Sequence, residues 1–335
     1  MDYVHFIAGQ DDKGRRLDRI LRRILPENSL SGLYKSLRNG LIKVDGKKQK
    51  PEFHVSEGSD ISVAAFLITP ESSGQNSKDA ENSFIDEKLV VFRNKYLLIL
   101  NKPYDVNVQK AFKNENSLDE MVKKDFEAKG LNKESLSFKT GPLHRLDKKT
   151  TGLIAFSQNL EGARWFSRAI MSHETKKTYL ALVQGKMTEY ENWQDEIEKN
   201  DEKSSEKVSD CIKFHTVKVK NLSEFHKNGK FSWTEAFPLS SGMLDGKEVT
   251  LVKFVIHTGR THQIRAQSSF HGYPLYGDTA YGGSKSKYER ELYLHAWKLD
   301  FKENPCQLPS QIVCPLNLDF KNILKVSMIS FNSEL

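Results

Sequence analysis

The chain of 335 residues has room for one large domain with a small companion, or for two of medium size. With 38% hydrophobic and 28% charged residues it has the composition of a globular protein, and its longest apolar run, Val63 to Ile68, is far too short to cross a bilayer. The first residues lack the charged head and apolar stretch of a secretion signal, so a cytoplasmic protein with no membrane partner is expected.

Three cysteines, Cys211, Cys306 and Cys314, make neither a disulfide framework nor a CxxC pair, so no zinc site is expected. The net charge of +7 is local: twelve basic residues stand between Lys13 and Lys50 against Asp18, Glu27 and Asp45 alone. That segment carries +9 and the rest of the chain −2. Such a distribution points to a phosphate-tracking module on a nearly neutral body.

Within the basic segment, Leu17, Ile20, Leu21 and Ile24 recur at the spacing of one helical stripe, with Arg16, Arg19, Arg22 and Arg23 largely outside it. Ser31 is the expected N-cap of a second helix carrying Leu33, Tyr34 and Leu37, which Asn39-Gly40 ends. Ile42 and Val44 alternate with polar residues into Asp45-Gly46, a hairpin signal, and Asp60 to Val63 closes the unit as a strand. Two basic helices followed by a small hairpin resemble the S-four-type RNA-binding domain, most tellingly in Arg38-Asn39-Gly40 before Ile42-Lys43-Val44-Asp45-Gly46. That resemblance implies an RNA-binding domain over residues 1–64, with Arg16, Arg19, Arg38 and Lys43 among its RNA contacts.

Residues 65–84, dominated by the polar stretch after Pro70, read as a linker to a second domain over residues 85–331. There Leu89 to Phe92 and Leu97 to Leu100 flank a hairpin turn, and Leu153 to Phe156, Tyr179 to Val183 and Leu251 to Ile256 read as strands. Ala163, Phe166 and Ile170 mark a helix after Glu161, and a second helix opens at Thr261 after the Gly259 turn. A polar tract from Gln194 to Asp210 reads as an exposed loop or insertion. The mixture without regular βαβ alternation points to an α+β fold with a largely antiparallel sheet.

The chemistry-bearing stretch is Gly141-Pro-Leu-His144-Arg145-Leu146-Asp147 through Gly152, a charged turn set before a buried strand. On local grounds alone Asp147 is better explained as a turn or cap residue. The ordered set of motifs changes that. His144-Arg145-Leu146-Asp147 with Thr150-Thr151-Gly152-Leu153 closely resembles the catalytic motif of the RluA/RluC/RluD family of RNA pseudouridine synthases. Asn101-Lys102-Pro103, Lys177-Thr178-Tyr179, Thr258 to Arg265, Gly277-Asp278 and Leu294-His295-Ala296 resemble its other motifs, in order. The basic N-terminal segment is most similar to the ribosomal large-subunit branch.

The resemblance implies a cofactor-free, monomeric enzyme acting on RNA, with ribosomal RNA preferred over transfer RNA as partner. Asp147 is then the nucleophile, at C6 of uracil or C1′ of ribose. Arg265 pairs with Asp147 and holds it ionised. Tyr179 stacks on the uracil and helps the proton leave C5. Leu294 is an apolar pocket wall, and His144 and Arg145 touch the RNA, Arg145 replacing the flipped uridine. Two positions depart from the family pattern: Gln267 stands where a histidine is usual, and Asp105 and Gln109 lie where a glycine and histidine are usual. The competing readings are a non-catalytic RNA-binding assembly protein and a hydrolase or phosphotransferase using His144 and Asp147. No GxxxxGK[ST] loop supports the latter, and a glycosidase would need a second carboxylate that is not evident.

Overall fold

The computed structural model describes residues 1–68, 85–112, 115–131, 135–199, 217–221, 229–288 and 290–331. The N-terminal unit comprises β1 (Tyr3–Ile7), α1 (Leu17–Ile24), α2 (Leu30–Asn39), β2 (Ile42–Val44) and β3 (Asp60–Ala64). Its antiparallel sheet has the order β1-β3-β2. The helical stripe does what its spacing requires: Leu17, Ile20 and Leu21 are wholly buried against Leu33, Ile42, Ile61 and Val63. Each such side chain contributes about 1.5–3 kcal/mol when removed from water.

The cap of α2 is Ser29, whose hydroxyl accepts from the Gly32 amide at 3.2 Å; Ser31, the expected cap, lies two residues further on within the first turn. Gly40 ends that helix in the left-handed conformation at φ +74°, where a side chain would be strained. Asp45 and Gly46 both have positive φ and close the expected turn. The strand that pairs with β2 is nevertheless β3, with only an isolated bridge from Val44 to Lys47 after the turn. Leu67 and Ile68, read as the start of the linker, still pack against this core; residues 69–84 of the linker lie outside the described residues.

The larger part is built from β4 (Val90–Arg93), β5 (Leu97–Lys102), α3 (Leu118–Ala128), β6 (Thr151–Ser157), α4 (Leu160–Met171), β7 (Thr175–Gln184) and β8 (Glu191–Lys199). It continues with β9 (Val217–Asn221), β10 (Lys230–Leu244), β11 (Lys247–Ile256), α5 (Gln263–Phe270), β12 (Leu294–Phe301), β13 (Gln311–Val313) and α6 (Leu318–Val326). Among the described residues these strands form one sheet in the order β4-β5-β6-β12-β7-β11-β10-β8-β9, with β13 beside β12. Every pair is antiparallel except β6 with β12. The class is therefore α+β with a mostly antiparallel sheet, as the strand pattern predicts. The polar tract is in part a strand: Gln194 to Lys199 complete β8, paired with both β10 and β9, while residues 200–210 lie outside the described residues.

Helices α4 and α6 cover separate parts of the sheet. Trp165 and Phe166 of α4 pack on Leu97, Ile99, Leu153 and Ala155. Phe320, Ile323 and Leu324 of α6 pack on Leu180, Leu182 and Leu251. The N-terminal unit is joined to the larger part by polar bonds. Asp12 is wholly buried and accepts from the Leu136 amide at 2.8 Å and from the hydroxyls of Ser135 and Ser137. Arg15 donates to the Ser137 carbonyl at 3.0 Å and Arg23 to that of Phe138 at 3.2 Å. Two of the twelve basic residues thus serve this junction.

Candidate active site

The pocket forms where the parallel pair β6–β12 meets the middle of β7 and the start of α5. The approach of β6 to β12 dictates Gly152: its φ is +101°, and a Cβ there would stand 2.2 Å from the Ala296 carbonyl oxygen. That contact draws the turn before β6 against Leu294 on β12, which is 5% exposed. Arg145, Asp147, Tyr179, Arg265 and Leu294 line one pocket, together with Ile256, Arg260 and His262. Four distant stretches of sequence therefore supply it.

Asp147 sits in a turn closed by the Thr150 amide donating to its carbonyl at 3.0 Å. Its carboxylate lies 3.7 Å from Arg265 Nη1 and 3.7 Å from His262 Nε2. The expected pairing of Arg265 with Asp147 is present as this 3.7 Å ion pair, and a closer partner stands beside it. Arg265 donates through Nε and Nη2 to both oxygens of Asp278, at 2.6 and 2.8 Å, and its guanidinium lies over the Tyr281 ring at 4.9 Å. Burial opposes the arginine's charge, but Asp278, with Asp147 behind it, outweighs burial and raises its pKa. Asp278 fixes the cation, and Asp147 receives the remaining edge of its field. Asp278 escaped attention because its tie to Arg265 spans thirteen positions and has no local periodicity; its only signal is an acidic residue inside the motif Gly277-Asp278.

Tyr179 is 7% exposed in the middle of β7. Burial, and next the negative Asp147, push its phenol pKa upward. The neutral phenol offers the pocket a ring that can stack on a base. Lys102 supports the turn from below. It is fully buried and donates to the carbonyls of Pro103, Val106 and Lys148 at 2.9, 2.7 and 2.7 Å. Burial pulls its pKa down to about 7, against the opposing pull of Asp147 and Asp105.

His144 is not in this pocket. Its Nε2 accepts from the Ala155 amide at 3.1 Å and its ring stacks on Phe166 at 5.9 Å, on the α4 side. Burial lowers its pKa to about 3, so the imidazole is neutral and anchors the motif to β6. The expected RNA contact is corrected accordingly: the His144 ring faces α4, whereas Arg145, Leu146 and Asp147 line the pocket. His295 is likewise a neutral structural link, bonded to Thr151 and to the Cys314 carbonyl. Among the described residues no three His, Cys, Asp or Glu side chains gather to hold a metal ion, and no helix is long and apolar enough to cross a membrane.

Of the N-terminal cations, Arg19 and Arg38 are exposed. Arg38 borders a cleft with Tyr34, Lys48 and Phe53, and Lys43 lies over the Tyr3 ring at 5.2 Å. Arg16 is engaged by both oxygens of Asp18, at 3.1 and 2.7 Å, so it is held within the domain. Gln267, the departure on α5, is buried, with its amide donating to Asp195 on β8 at 2.7 Å.

Comparison with known proteins agrees with this geometry. Residues 96–270 match the RNA pseudouridylate synthase family and residues 15–61 match the S4 domain. "Ribosomal large subunit pseudouridine synthase C" of Rickettsia bellii is 30% identical over 289 residues, covering 84% of this chain and 87% of that protein. The protein of that name from Haemophilus ducreyi is 25% identical over 332 residues, covering 95% and 94%. Among solved structures, "Human RNA Pseudouridylate Synthase Domain Containing 4" shares the fold with a TM-score of 0.56 at 20% identity, over 73% of this chain and 94% of that one. The chain belongs to the RNA pseudouridylate synthase family and carries an S4 domain at its N-terminal end. Its activity is accordingly that of a pseudouridine synthase, an isomerase acting on RNA.

Proposed function

We propose that the chain converts uridine to pseudouridine in large-subunit ribosomal RNA, with Asp147 as the nucleophile. The observation that carries this reading is the meeting of Asp147, Tyr179, Arg265 and Leu294 in one pocket. The names of the relatives from Rickettsia bellii and Haemophilus ducreyi support the choice of RNA. In this scheme Arg145 enters the RNA as the uridine swings out, which costs a few kcal/mol of stacking and pairing. Leu294 and Tyr179 hold the flipped base. Asp147 attacks C6 or C1′, with Arg265 Nη1, steadied by Asp278, 3.7 Å from its carboxylate. The N1–C1′ bond breaks, the uracil turns and C5 bonds to C1′; the C5 proton passes to water, N1 takes up a proton, and the bond to Asp147 breaks to free its carboxylate.

The division of labour follows the charge. Residues 1–64 bind RNA through Arg19, Arg38 and Lys43, residues 65–84 link, and residues 85–331 perform the chemistry. A single chain supplies every group named, so a monomer acting in the cytoplasm suffices. Mapping pseudouridine in cellular RNA with and without this protein tests the reading. A large-subunit position that loses its modification supports it; loss confined to transfer RNA would replace ribosomal RNA as the substrate.

A further inference from the structure

Lys177, a cation beside the pocket, has no part in the catalytic roles. Lys177 stands on β7 two residues before Tyr179, so both side chains leave the strand on the same side. It lies opposite Ile256 of β11, a pocket residue, and Leu299 of β12. Its ammonium rests against the turn before α5: a Cβ at Gly259 would be 3.6 Å from Lys177 Nζ. Its charge also reaches His144, the neighbour of Arg145. Lys177 thus sits between the loop that presents Arg145 and the loop that presents Arg260.

Lys177 is partly buried and makes no hydrogen bond or ion pair with any described residue. Lys102, by contrast, gives three bonds to carbonyls. An ammonium removed from water without a partner destabilises the fold, and burial alone lowers the pKa of Lys177. Arg145 and Arg260 are exposed, and neither forms an ion pair among the described residues. Arg260 is aimed by its Nε, which donates to the Phe231 carbonyl at 2.9 Å and leaves its terminal nitrogens for another acceptor.

We propose that Lys177, with Arg260, forms a subsite for a backbone phosphodiester next to the flipped uridine, and that this phosphate is the counter-charge the fold itself does not supply. Guanidinium groups grip phosphate through paired bonds, while a lysine acts as a point charge behind it. The subsite rests on the reading of the protein as an RNA-modifying enzyme, and it holds the strand by its backbone while the base is outside the stack.

The test is Lys177→Met, which keeps the aliphatic stem and removes the charge. Binding to a fragment of large-subunit ribosomal RNA should weaken roughly tenfold or more, as for loss of a charge-assisted bond. The slope of log K against log salt should become shallower by about 0.7–0.9, the value of one phosphate contact. Thermal unfolding should show the variant at least as stable as the parent, because an unpaired charge has gone. RNAs with a single neutral methylphosphonate linkage at successive positions around the modified uridine locate the phosphate. One of them should bind the parent as weakly as the unmodified RNA binds the variant, and should cost the variant nothing more. Parent-like affinity and salt slope in the variant would overturn the subsite, as would equal losses for parent and variant at every neutral linkage. A variant that melts lower yet binds RNA normally would make Lys177 a structural residue. Absence of pseudouridine formation by the parent would instead overturn the activity, and the salt titration would still decide the subsite.

Discussion

Removing Asp278 should damage both the stability of the protein and the aim of its nucleophile. Its side chain is 2% exposed and that of Arg265 11%, and two short bonds join them. Asp278→Ala therefore strands a buried guanidinium, a change that costs about 3–5 kcal/mol in pairs of this kind. Asp278→Asn keeps one acceptor for one of the two donors, so its loss should be smaller, nearer about 2 kcal/mol. The freed arginine has a carboxylate 3.7 Å away in Asp147 and should turn onto it. A nucleophile locked in a close ion pair is misplaced by about an ångström, an error that costs on the order of 100-fold in turnover. Urea unfolding gives the first quantity, and pseudouridine formed per minute at saturating RNA gives the second. If the alanine variant unfolds at the parent's urea midpoint and turns over at the parent's rate, the pairing has no part in holding the site.

Lys102→Met removes a group whose folded pKa, about 7, lies below its ordinary 10.5. Between those values the unfolded lysine holds a proton that the folded one has shed, so the parent gains stability as pH rises through this window. Unfolding curves at successive pH values should show the parent gaining on the variant from about pH 7 upward; a constant difference would refute the depressed pKa. Deleting residues 1–64 should weaken RNA binding and flatten its salt dependence. With Arg15 and Arg23 committed to the junction and Arg16 to Asp18, five or so remaining contacts imply a lost slope of about 4.5 at roughly 0.9 per duplex contact. Identical salt titrations for both lengths of chain would mean that these cations only solvate their face.

Elements with a strong local signal were legible in the sequence. Helix α1 has its stripe, α4 its Phe166 and Ile170, and the β4–β5 hairpin its two apolar runs about Asn94. Strand β10 was not legible, because Pro238 and Gly242 argue against a strand; the structure accommodates the proline at a register shift between Pro238 and Ser240. Strand β1 was missed because its burial is slight and its partner β3 lies some fifty residues on. In the active site the motifs named Asp147, Tyr179, Arg265 and Leu294, and the fold gathers them. Which carboxylate Arg265 grips and which way His144 points depend on tertiary closure.

The central claim is that the Asp147 carboxylate performs the chemistry, and Asp147→Asn tests it most directly. The amide has nearly the same shape but cannot act as the nucleophile. Its carboxylate has no bond shorter than 3.7 Å to Arg265 or His262, so the exchange should leave the fold intact. On RNA that the parent modifies, the variant should unfold at the parent's temperature, bind the RNA, and form no pseudouridine. Turnover within about tenfold of the parent, a barrier change of only about 1.4 kcal/mol, would contradict the account.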